Sequence, residues 1–410
     1  MTNYMTTIGE VAEIYDGPHA TPEKIENGPY YLSISSLESG RLDLSKSAFL
    51  SESDFQTWTK RVAPQKGDIL FSYETRLGEA ALMPEGLRAC LGRRMGLLRP
   101  KINKVTSEYL LYAYIAPQFQ QTIVSNTIKG ATVERIALNK LSSFNIRIPD
   151  FDEQKNVAGL LTSIDSKIEI NNRINIELEA MAKTLYDYWF VQFDFPDLDG
   201  KPYKTSGGKM VWNEELKRAI PDGWEVGKLK DIANIIMGQS PPGESYNNEA
   251  QGMIFFQGCT DFGNRFPTVR QFTTQPTRYA KEGDILLSVR APVGTLNIAK
   301  ENCCIGRGLA ALNSKDNCIA YLFGVMLNLK QIFDRRNVDG TTFGSITKDD
   351  LFSLTVVKPD KEILKKYHEI INPAFEKQNK LELENQTLSE LRDWLLPMLM
   401  NGQVQVTPSH

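Results

Sequence analysis

Apolar residues follow two patterns along the chain, and the two patterns alternate. In the first pattern, short apolar runs are bounded by turn residues, as in Tyr30–Ile34, Asp68–Tyr73 and Asp284–Val289, which is typical of β-strands. Helical stretches at Ser107–Ile123 and Ile319–Phe333 lie between such runs. In the second pattern, apolar residues recur every seven positions, which predicts a long helix packed against another helix. The chain is therefore predicted to be of the α+β class, with mixed α/β domains and long helices.

The seven-residue spacing defines a seam on each of two predicted helices. The seam positions are Val157, Ile164, Asn171, Leu178 and Leu185 in the first helix, and Tyr367, Ala374, Leu381, Leu388 and Leu395 in the second. We expect residues three positions further along to complete the seams: Leu160, Ile174, Met181 and Tyr188, then Ile370, Leu391 and Met398. Such seams predict a coiled coil, in which the polar Asn171 would fix the register at some cost in stability. Pro373 predicts a kink or a restart of the second helix.

The two strand-rich parts of the chain repeat one another. Gly67–Ser72 matches Gly283–Ser288, and Cys90–Arg93 matches Cys304–Arg307, with further matched segments in the same order. A repeat of such a long period indicates two whole domains rather than a solenoid. If a pseudo-two-fold axis relates them and crosses the helices, the helices must form an antiparallel coiled coil.

These patterns divide the chain into five parts. The predicted boundaries are 1–150 for the first domain, 151–190 for the first helix, 191–225 for a linker, 226–359 for the second domain, and 360–410 for the second helix and tail. The Pro and Gly content of the linker predicts a connector outside either core. The first helix would be roughly 50 Å long at 1.5 Å per residue. This length exceeds the roughly 34 Å helical repeat of DNA, so the helix could hold two DNA-binding domains one turn apart.

Composition places the chain among globular proteins, with 41% hydrophobic and 24% charged residues. No apolar run is long enough to cross a bilayer and the N-terminus lacks a signal pattern, so we expect a soluble cytoplasmic protein without a membrane partner. The five cysteines show no C-x-x-C spacing and are expected to be reduced thiols. The histidines are too dispersed for a zinc site, so no metal site is predicted.

The net charge of −3 is unevenly distributed. Between Arg88 and Lys104 the chain has several basic residues and no acidic one, which is the kind of footprint that phosphate binding requires. A solvated charged surface is an equally good interpretation of this segment alone.

The sequence contains no complete catalytic motif of the kinds considered below. Ser240–Gly243 is similar to the motif of amino methyltransferases that act on flipped adenines, but that chemistry needs an aromatic fourth residue and Gly243 cannot stack on a base. A glycine-rich cofactor loop and a phosphate-binding lysine motif are also absent from the sequence. We therefore expect a chain without catalytic residues that acts by binding.

The best binding candidates are basic and polar residues beside the repeated glycines. Those candidates for DNA contact are Arg76, Arg93, Arg94, Lys129, Thr132, Arg290, Arg307 and Thr342. Arginine can bind guanine or phosphate with two hydrogen bonds, although a surface ion pair is an equal alternative for each one. Residues common to both repeats cannot encode two different sequences. We therefore expect base reading in the divergent loops Tyr15–Tyr31 and Ile236–Gly258.

Four segments together carry a resemblance to a known family. They are Tyr186–Phe195, Ile220–Glu225, Gly283–Gly294 and Cys304–Gly308. Because these four segments occur in this order, the chain resembles the specificity subunit of a type I restriction–modification system over essentially its whole length. The first repeat is a looser copy of the motif, which weakens the transfer of roles to single residues there.

The resemblance implies a non-catalytic subunit that binds double-stranded DNA. It implies two target-recognition domains, each reading one half of an asymmetric bipartite site, and helices that set the gap between the halves. It also implies that the helices dock two modification subunits, which are adenine methyltransferases, and that restriction subunits with motor and nuclease activity join for cleavage. No cofactor is expected on this chain, while S-adenosylmethionine and ATP would bind the partner subunits. The alternatives are a self-sufficient DNA methyltransferase and a two-headed protein-binding scaffold.

Overall fold

The chain folds into two compact units. The computed structural model describes residues 4–128, 133–338 and 345–406. Unit 1 consists of Met1–Glu169 and Gln386–His410, and unit 2 consists of Ile170–Asn385. The candidates Lys129, Thr132 and Thr342 lie outside the described residues.

Unit 1 is built from short strands around a buried helical layer. Its strands are β1 (Met5–Thr7), β2 (Ala12–Asp16), β3 (Ile25–Tyr31), β4 (Leu37–Glu38), β5 (Arg41–Leu42), β6 (Ala48–Phe49), β7 (Ile69–Ser72), β8 (Ala80–Leu82), β9 (Ala89–Cys90), β10 (Met95–Pro100), β11 (Thr127–Ile128), β12 (Arg135–Ile136) and β13 (Asn145–Arg147). Its helices are α1 (Ile8–Val11), α2 (Glu52–Trp58), α3 (Ser107–Ile115), α4 (Pro117–Ser125), α5 (Leu138–Leu141) and the first part of α6 (Phe151–Tyr186).

Unit 2 has the same kind of construction. Its strands are β14 (Met210–Asn213), β15 (Arg218–Pro221), β16 (Glu225–Lys228), β17 (Ala233–Met237), β18 (Tyr246–Asn247), β19 (Met253–Phe256), β20 (Phe272–Thr273), β21 (Tyr279–Ala280), β22 (Ile285–Ser288), β23 (Leu296–Ile298), β24 (Cys303–Ile305), β25 (Leu309–Ser314) and β26 (Thr355–Lys358). Its further helices are α7 (Leu229–Ile232), α8 (Ile319–Val338), α9 (Lys348–Phe352) and most of α10 (Lys361–Met400), whose last residues belong to unit 1.

The two units share one sheet topology. The central antiparallel sheet has the order β2-β10-β7-β8 in unit 1 and β17-β25-β22-β23 in unit 2. Each unit also has a second sheet that contains one parallel pair, β3 with β9 and β19 with β24. Unit 2 extends this second sheet to five strands, whereas unit 1 has three. The tandem duplication predicted from the sequence is therefore present in the fold.

The repeated Gly-Asp-Ile-Leu motif has a structural role in both units. Gly67 and Gly283 both have φ +84°, a conformation that glycine adopts without strain. The carboxylate of Asp68 accepts a hydrogen bond from the backbone nitrogen of Gln65, and Asp284 accepts one from Lys281. Both aspartates are buried, so these bonds close a tight turn before a fully buried strand.

The segment predicted to be a connector outside either core is instead part of the core of unit 2. Phe193, Phe195 and Trp224 are buried, and the ring of Phe195 stacks on that of Trp224 with centroids 4.9 Å apart. The aromatic residues outweigh the local Pro and Gly content because each large ring buries much apolar surface.

The long helices pack against each other in antiparallel fashion within unit 2. Asn171 Nδ2 on α6 donates to Asn385 Oδ1 on α10 at 3.0 Å, and Gln378 Nε2 donates to the carbonyl of Asn175 at 3.2 Å. Asn175 follows Asn171 on α6, whereas its partner Gln378 precedes Asn385 on α10, so the two helices run antiparallel. Asn171 also donates to Glu384 Oε2 at 2.8 Å, so a polar layer interrupts the apolar seam.

Most of the predicted companion positions of the seam are wrong, although Leu160 and Met398 are half-buried. Ile174, Met181 and Tyr188 are exposed, as are Ile370 and Leu391. Buried companions instead lie four residues beyond a seam position, as Leu161 and Ile168 do on α6 and Ile371, Gln378 and Leu399 do on α10. Alternating steps of four and three residues keep the seam on one side of a helix with 3.6 residues per turn.

The predicted restart at Pro373 is also wrong, because α10 runs unbroken from Lys361 to Met400, while the predicted kink stays a prediction. The missing N–H of a proline is a local loss, and the packed seam on either side of this position holds the helix together. Among the primary seam positions, Val157, Ile164, Asn171, Tyr367, Ala374 and Leu381 are buried, and Leu178, Leu185, Leu388 and Leu395 are half-buried.

One arginine in each unit ties the globular part to a long helix. Arg41 Nη2 binds Asp165 Oδ1 on α6 at 3.1 Å in unit 1. In unit 2 Arg265 binds the side chain of Asn379 and the carbonyl of Phe375 on α10, and its guanidinium lies 4.2 Å from the Phe375 ring centroid. Burial lowers the pKa of Arg265 to about 10, so the group stays charged at neutral pH.

Replacement of Asn171 tests the polar layer. Asn171→Ala removes the donor to Glu384 and Asn385 and should lower the free energy of unfolding by about 1–3 kcal/mol. Urea denaturation followed by circular dichroism measures this change. The exposed Glu177→Ala on the same helix is the control and should stay within about 0.5 kcal/mol of the parent chain. Equal stability of the two variants would contradict a stabilising role for the layer.

Candidate nucleic-acid interface

Two repeated glycines meet at one end of the central sheet in each unit. The backbone nitrogen of Gly17 donates to Met95 O at 2.8 Å, and that of Gly238 donates to Leu309 O at 2.9 Å. A Cβ added to Gly238 would lie 2.2 Å from the carbonyl oxygen of Gly306, the repeated glycine of the next turn. Because that contact is with backbone, only glycine allows the strand end and the Gly-Arg turn to approach this closely.

The arginines of the two Gly-Arg turns face outward. Arg93 and Arg307 are exposed, and neither guanidinium has a hydrogen-bond or ion-pair partner among the described residues. Their backbone nitrogens are fixed in place by a hydroxyl: that of Arg93 donates to Tyr31 Oη at 3.0 Å, and that of Arg307 donates to Ser240 Oγ at 3.3 Å. The turn is thus held rigidly while its cationic side chain is free to bind an anion.

The structure separates the remaining predicted arginines into two kinds. Arg76 pairs with Glu79 at 3.2 Å, and Arg94 pairs with Glu74 at 2.9 Å. Arg290 is exposed and has no side-chain partner in the described part of the chain. The surface ion pair weighed as the alternative is therefore found at the first two positions. Contact of any of these residues with DNA stays a prediction.

Acidic residues from other parts of unit 1 neutralise much of the basic segment between Arg88 and Lys104. Arg88 forms two hydrogen bonds with Glu52, at 2.8 and 2.7 Å, and Arg99 forms two with Asp68, at 3.0 and 2.7 Å. The absence of acids in the local sequence gave no sign of these pairs, because the partners are distant in the chain. Arg93 and Lys104 remain as exposed cations of this segment.

Sequence reasoning missed a polar cluster beside the Gly-Arg turn of unit 2. Ser240 Oγ lies 3.1 Å from Gln257 Oε1 and 2.9 Å from Gln257 Nε2. The backbone of Arg278 is fixed next to them, since its carbonyl accepts a hydrogen bond from Ile305 N at 2.9 Å. Ser240 and Gln257 do lie in the predicted loop Ile236–Gly258, but only folding brings them together.

The corresponding loop of unit 1 borders a cavity of about 330 Å³. Its lining includes Pro18, His19, Trp58, Lys60 and Arg61. Arg61 pairs with Asp16 on the same wall. The two units therefore present different side chains on the same framework.

The described residues offer little for chemistry. They contain no group of three histidine, cysteine or acidic side chains arranged to hold a metal. Burial raises the pKa of Cys90 and of Cys303 to about 12, so these thiols are poor nucleophiles at neutral pH. None of the described helices is long and apolar enough to span a bilayer.

Comparison with known proteins decides the family. The chain matches the family described as the type I restriction modification DNA specificity domain twice, over residues 3–180 and over residues 221–392. The chain belongs to the type I restriction–modification specificity subunits. The two matches contain the two repeats of the sequence and the two Gly-Arg turns.

Curated relatives of this specificity subunit cover almost the whole chain. The protein named MjaX specificity subunit of Methanocaldococcus jannaschii is 30% identical over 431 residues, covering 98% of this chain and 96% of the relative. The HindI specificity subunit of Haemophilus influenzae is 24% identical, covering 83% and 87%. Because specificity subunits are the non-catalytic members of these systems, the prediction of a non-enzymatic chain is confirmed.

A solved structure has the same fold. The type I restriction–modification S subunit from M. genitalium matches with a TM-score of 0.61 and 17% identity, covering 96% of this chain and 95% of that chain. The fold of two tandem domains joined by long helices is therefore confirmed.

A glycine substitution tests the close approach in the specificity subunit. Gly238→Ala should lower the free energy of unfolding by about 1–3 kcal/mol, because the added methyl group meets the Gly306 carbonyl. Gly243→Ala is the matched control, since no heavy atom lies within 4 Å of its added Cβ. Thermal unfolding of the purified chain gives both values. A Gly238→Ala variant as stable as the control would show that the approach is not tight.

Proposed function

We propose that each unit of this specificity subunit binds one half of an asymmetric bipartite DNA site. One observation carries the proposal: both units hold an exposed arginine on the same Gly-Arg turn, without an ion-pair partner in the described part of the chain, and the side chains around the two turns differ. A common cation suits the phosphate backbone, which is the same at every sequence. Different neighbours suit bases, which differ between the two halves.

The differences lie in the two loops that were expected to read bases. In unit 1 the Gly-Arg turn is held by Tyr31, and Pro18 and His19 follow the glycine of the loop. In unit 2 the turn is held by Ser240, next to Gln257. A cavity with an aromatic and basic lining in one unit and an amide cluster in the other would favour different base sequences.

An exchange of domains tests the assignment of half-sites. Replacing residues 1–150 by the same part of another specificity subunit should change only one half of the recognised sequence, because unit 2 keeps its own surface. The measurement is sequencing of methylated adenines in cells that also carry the modification subunits. A change in both halves, or in neither, would refute the assignment of one half to each unit.

We further propose that the long helices dock the modification subunits. Four residues of unit 2 form an apolar flank beside the buried seam: Ile170, Ile174, Met181 and Tyr188, which are 43, 36, 46 and 38% exposed. They follow each other at steps of four and seven residues, so they lie on one side of the helical segment. A contiguous exposed apolar surface is typical of a protein interface. This flank is not needed for the helix pair itself.

A charge placed on the flank tests the docking. Met181→Glu should reduce the amount of modification subunit that copurifies with the chain by at least about tenfold, because a carboxylate would have to be buried in the interface. Ala180→Glu places the same charge on an exposed position of a different side of the helix and should leave copurification unchanged. Equal recovery with both variants would exclude the flank as the docking surface.

Two finer expectations belong to the same proposal. The restriction subunits are expected to join the complex for cleavage, and S-adenosylmethionine and ATP are expected on the partners. We also expect the long helices to set the gap between the two half-sites, and this stays a prediction.

A further inference from the structure

We propose that three arginines of unit 2, Arg278, Arg290 and Arg307, form a row that binds phosphates of the DNA backbone, and that unit 1 lacks two of the three. We call these three residues the arginine row. The inference rests on the proposed function, in that it assumes that the chain binds DNA. It goes further by naming the groups that hold the DNA backbone and by assigning them to one unit.

Backbone hydrogen bonds place the three arginines around the Gly-Arg turn of unit 2. The carbonyl of Arg278 accepts a hydrogen bond from the backbone nitrogen of Ile305 at 2.9 Å, two residues before Arg307. Gly308, the residue after Arg307, accepts one at 2.9 Å from the residue before Arg290. Hydrogen-bonded segments of a sheet lie about 4.8 Å apart. The three side chains therefore start from adjacent segments at the end of the sheet where the turn lies.

The backbone of each arginine is fixed, whereas its charge is not balanced. Ser288 Oγ donates to the carbonyl of Arg290 at 2.7 Å, and Ser240 Oγ accepts from the backbone nitrogen of Arg307 at 3.3 Å. All three side chains of the row are exposed, and none has an ion pair with a residue that the structure describes. Like charges on adjacent segments repel one another, so an anion that binds among them lowers their electrostatic energy.

The DNA backbone is the anion that suits such a row. Its phosphates follow one another at every sequence, and each phosphate that a cation neutralises releases counterions. An arginine can bind a phosphate with two hydrogen bonds. The row adjoins the loop Ile236–Gly258, which is expected to read bases, because Ser240 of this loop binds the same turn. Phosphate contacts at the row would therefore fix the position of the DNA relative to that loop.

Unit 1 has a carboxylate at the position of Arg290. Ser72 Oγ donates to the carbonyl of Glu74 at 2.8 Å, as Ser288 Oγ does to that of Arg290. The residue before Glu74 donates to the carbonyl of Arg94, which repeats the bond beside Arg290 in unit 2. The Glu74 carboxylate binds Arg94 Nε at 2.9 Å, so this pair is neutral and adds no charge for a phosphate.

The position of Arg278 is changed as well. This arginine lies five residues before the repeated Gly-Asp motif of unit 2, and the same count in unit 1 leads to Val62, which is buried. The neighbouring Arg61 is already ion-paired, and Lys60 is an exposed cation nearby. Unit 1 therefore keeps one of the three positions of the row, which is Arg93 on its Gly-Arg turn.

The salt dependence of DNA binding tests the arginine row. The full chain in complex with its modification subunits is titrated against a fluorescent duplex at several salt concentrations, and anisotropy gives the affinity. Each of Arg278→Ala, Arg290→Ala and Arg307→Ala should reduce the slope of log affinity against log salt concentration by about 0.9, because one phosphate is no longer neutralised. The triple variant should reduce it by about three times that amount.

Two controls separate charge from structure. Arg307→Lys keeps the charge and should keep the parent slope. Lys217→Ala removes an exposed cation that has no ion pair among the described residues, and it should also keep the slope. Lys217 lies two residues after Glu215, which binds Lys228 ahead of β17, whereas the row lies beyond the other end of that strand. Partial misfolding lowers the fraction of active complex but does not change the slope, so it cannot imitate the expected result.

Transfer of a row position to unit 1 should have the opposite effect. Glu74→Arg places an arginine at the position equivalent to Arg290 and releases Arg94 from its ion pair. The slope should therefore become steeper by about one to two. A gain of this kind cannot come from a loss of folded protein. An unchanged slope would contradict the proposed difference between the two units.

Selection from a pool of duplexes with a randomised site separates this inference from the proposed function. Phosphates are the same at every sequence, so the three alanine variants should select the same bases as the parent complex. If the parent complex selects no bipartite sequence, the proposed function fails, while the slopes still decide whether the row binds phosphates. If it selects such a sequence and the three variants keep its slope, only the arginine row is overturned. A variant that selects different bases would overturn the phosphate contact of that arginine.

Discussion

Backbone contact without an intervening Cβ is the constraint on which the candidate interface depends. In unit 2 the carbonyl of Gly306 occupies the space that a side chain at residue 238 would fill, and Gly17 and Gly92 approach in the same way in unit 1. The strand end, the loop that follows it and the Gly-Arg turn consequently meet at one place. This meeting positions Arg93 and Arg307 at the surface, and it brings the divergent loops next to them.

The same hydrogen bond is made by different residues in the two units, which shows how the framework tolerates change. Tyr31 binds the backbone nitrogen of Arg93, whereas its counterpart in unit 2, Phe255, has no hydroxyl, and Ser240 from another loop binds Arg307 instead. A buried or half-buried N–H must find some acceptor, but the physics does not specify which residue supplies it. The loops can therefore vary in sequence while the turn keeps its geometry, and this freedom is what a DNA-reading surface requires.

The long helices combine an apolar seam, which stabilises their packing, with a polar layer, which fixes their register. Their seam is apolar at both ends of each helix and polar around Asn171 and Asn385, where hydrogen bonds replace some of the hydrophobic contact. Shifting the helices by one turn would break these bonds, so the layer favours a single register. Arg41 attaches the globular part of unit 1 to α6, and Arg265 attaches the globular part of unit 2 to α10.

The sequence by itself determined the duplication, the α+β class, the antiparallel helix pair and the family, because repeated glycines and heptads are local signals that survive without knowledge of the fold. It singled out Arg93 and Arg307 as candidates for DNA contact, and the structure places both on exposed turns. It did not determine which cations are free, since Glu52 and Asp68 reach Arg88 and Arg99 from distant parts of the chain. Nor did it reveal the true companion positions of the seam, the burial of Phe193 and Trp224, or the Ser240–Gln257 cluster. Each of these depends on which segments pack together, and packing is decided by the tertiary structure.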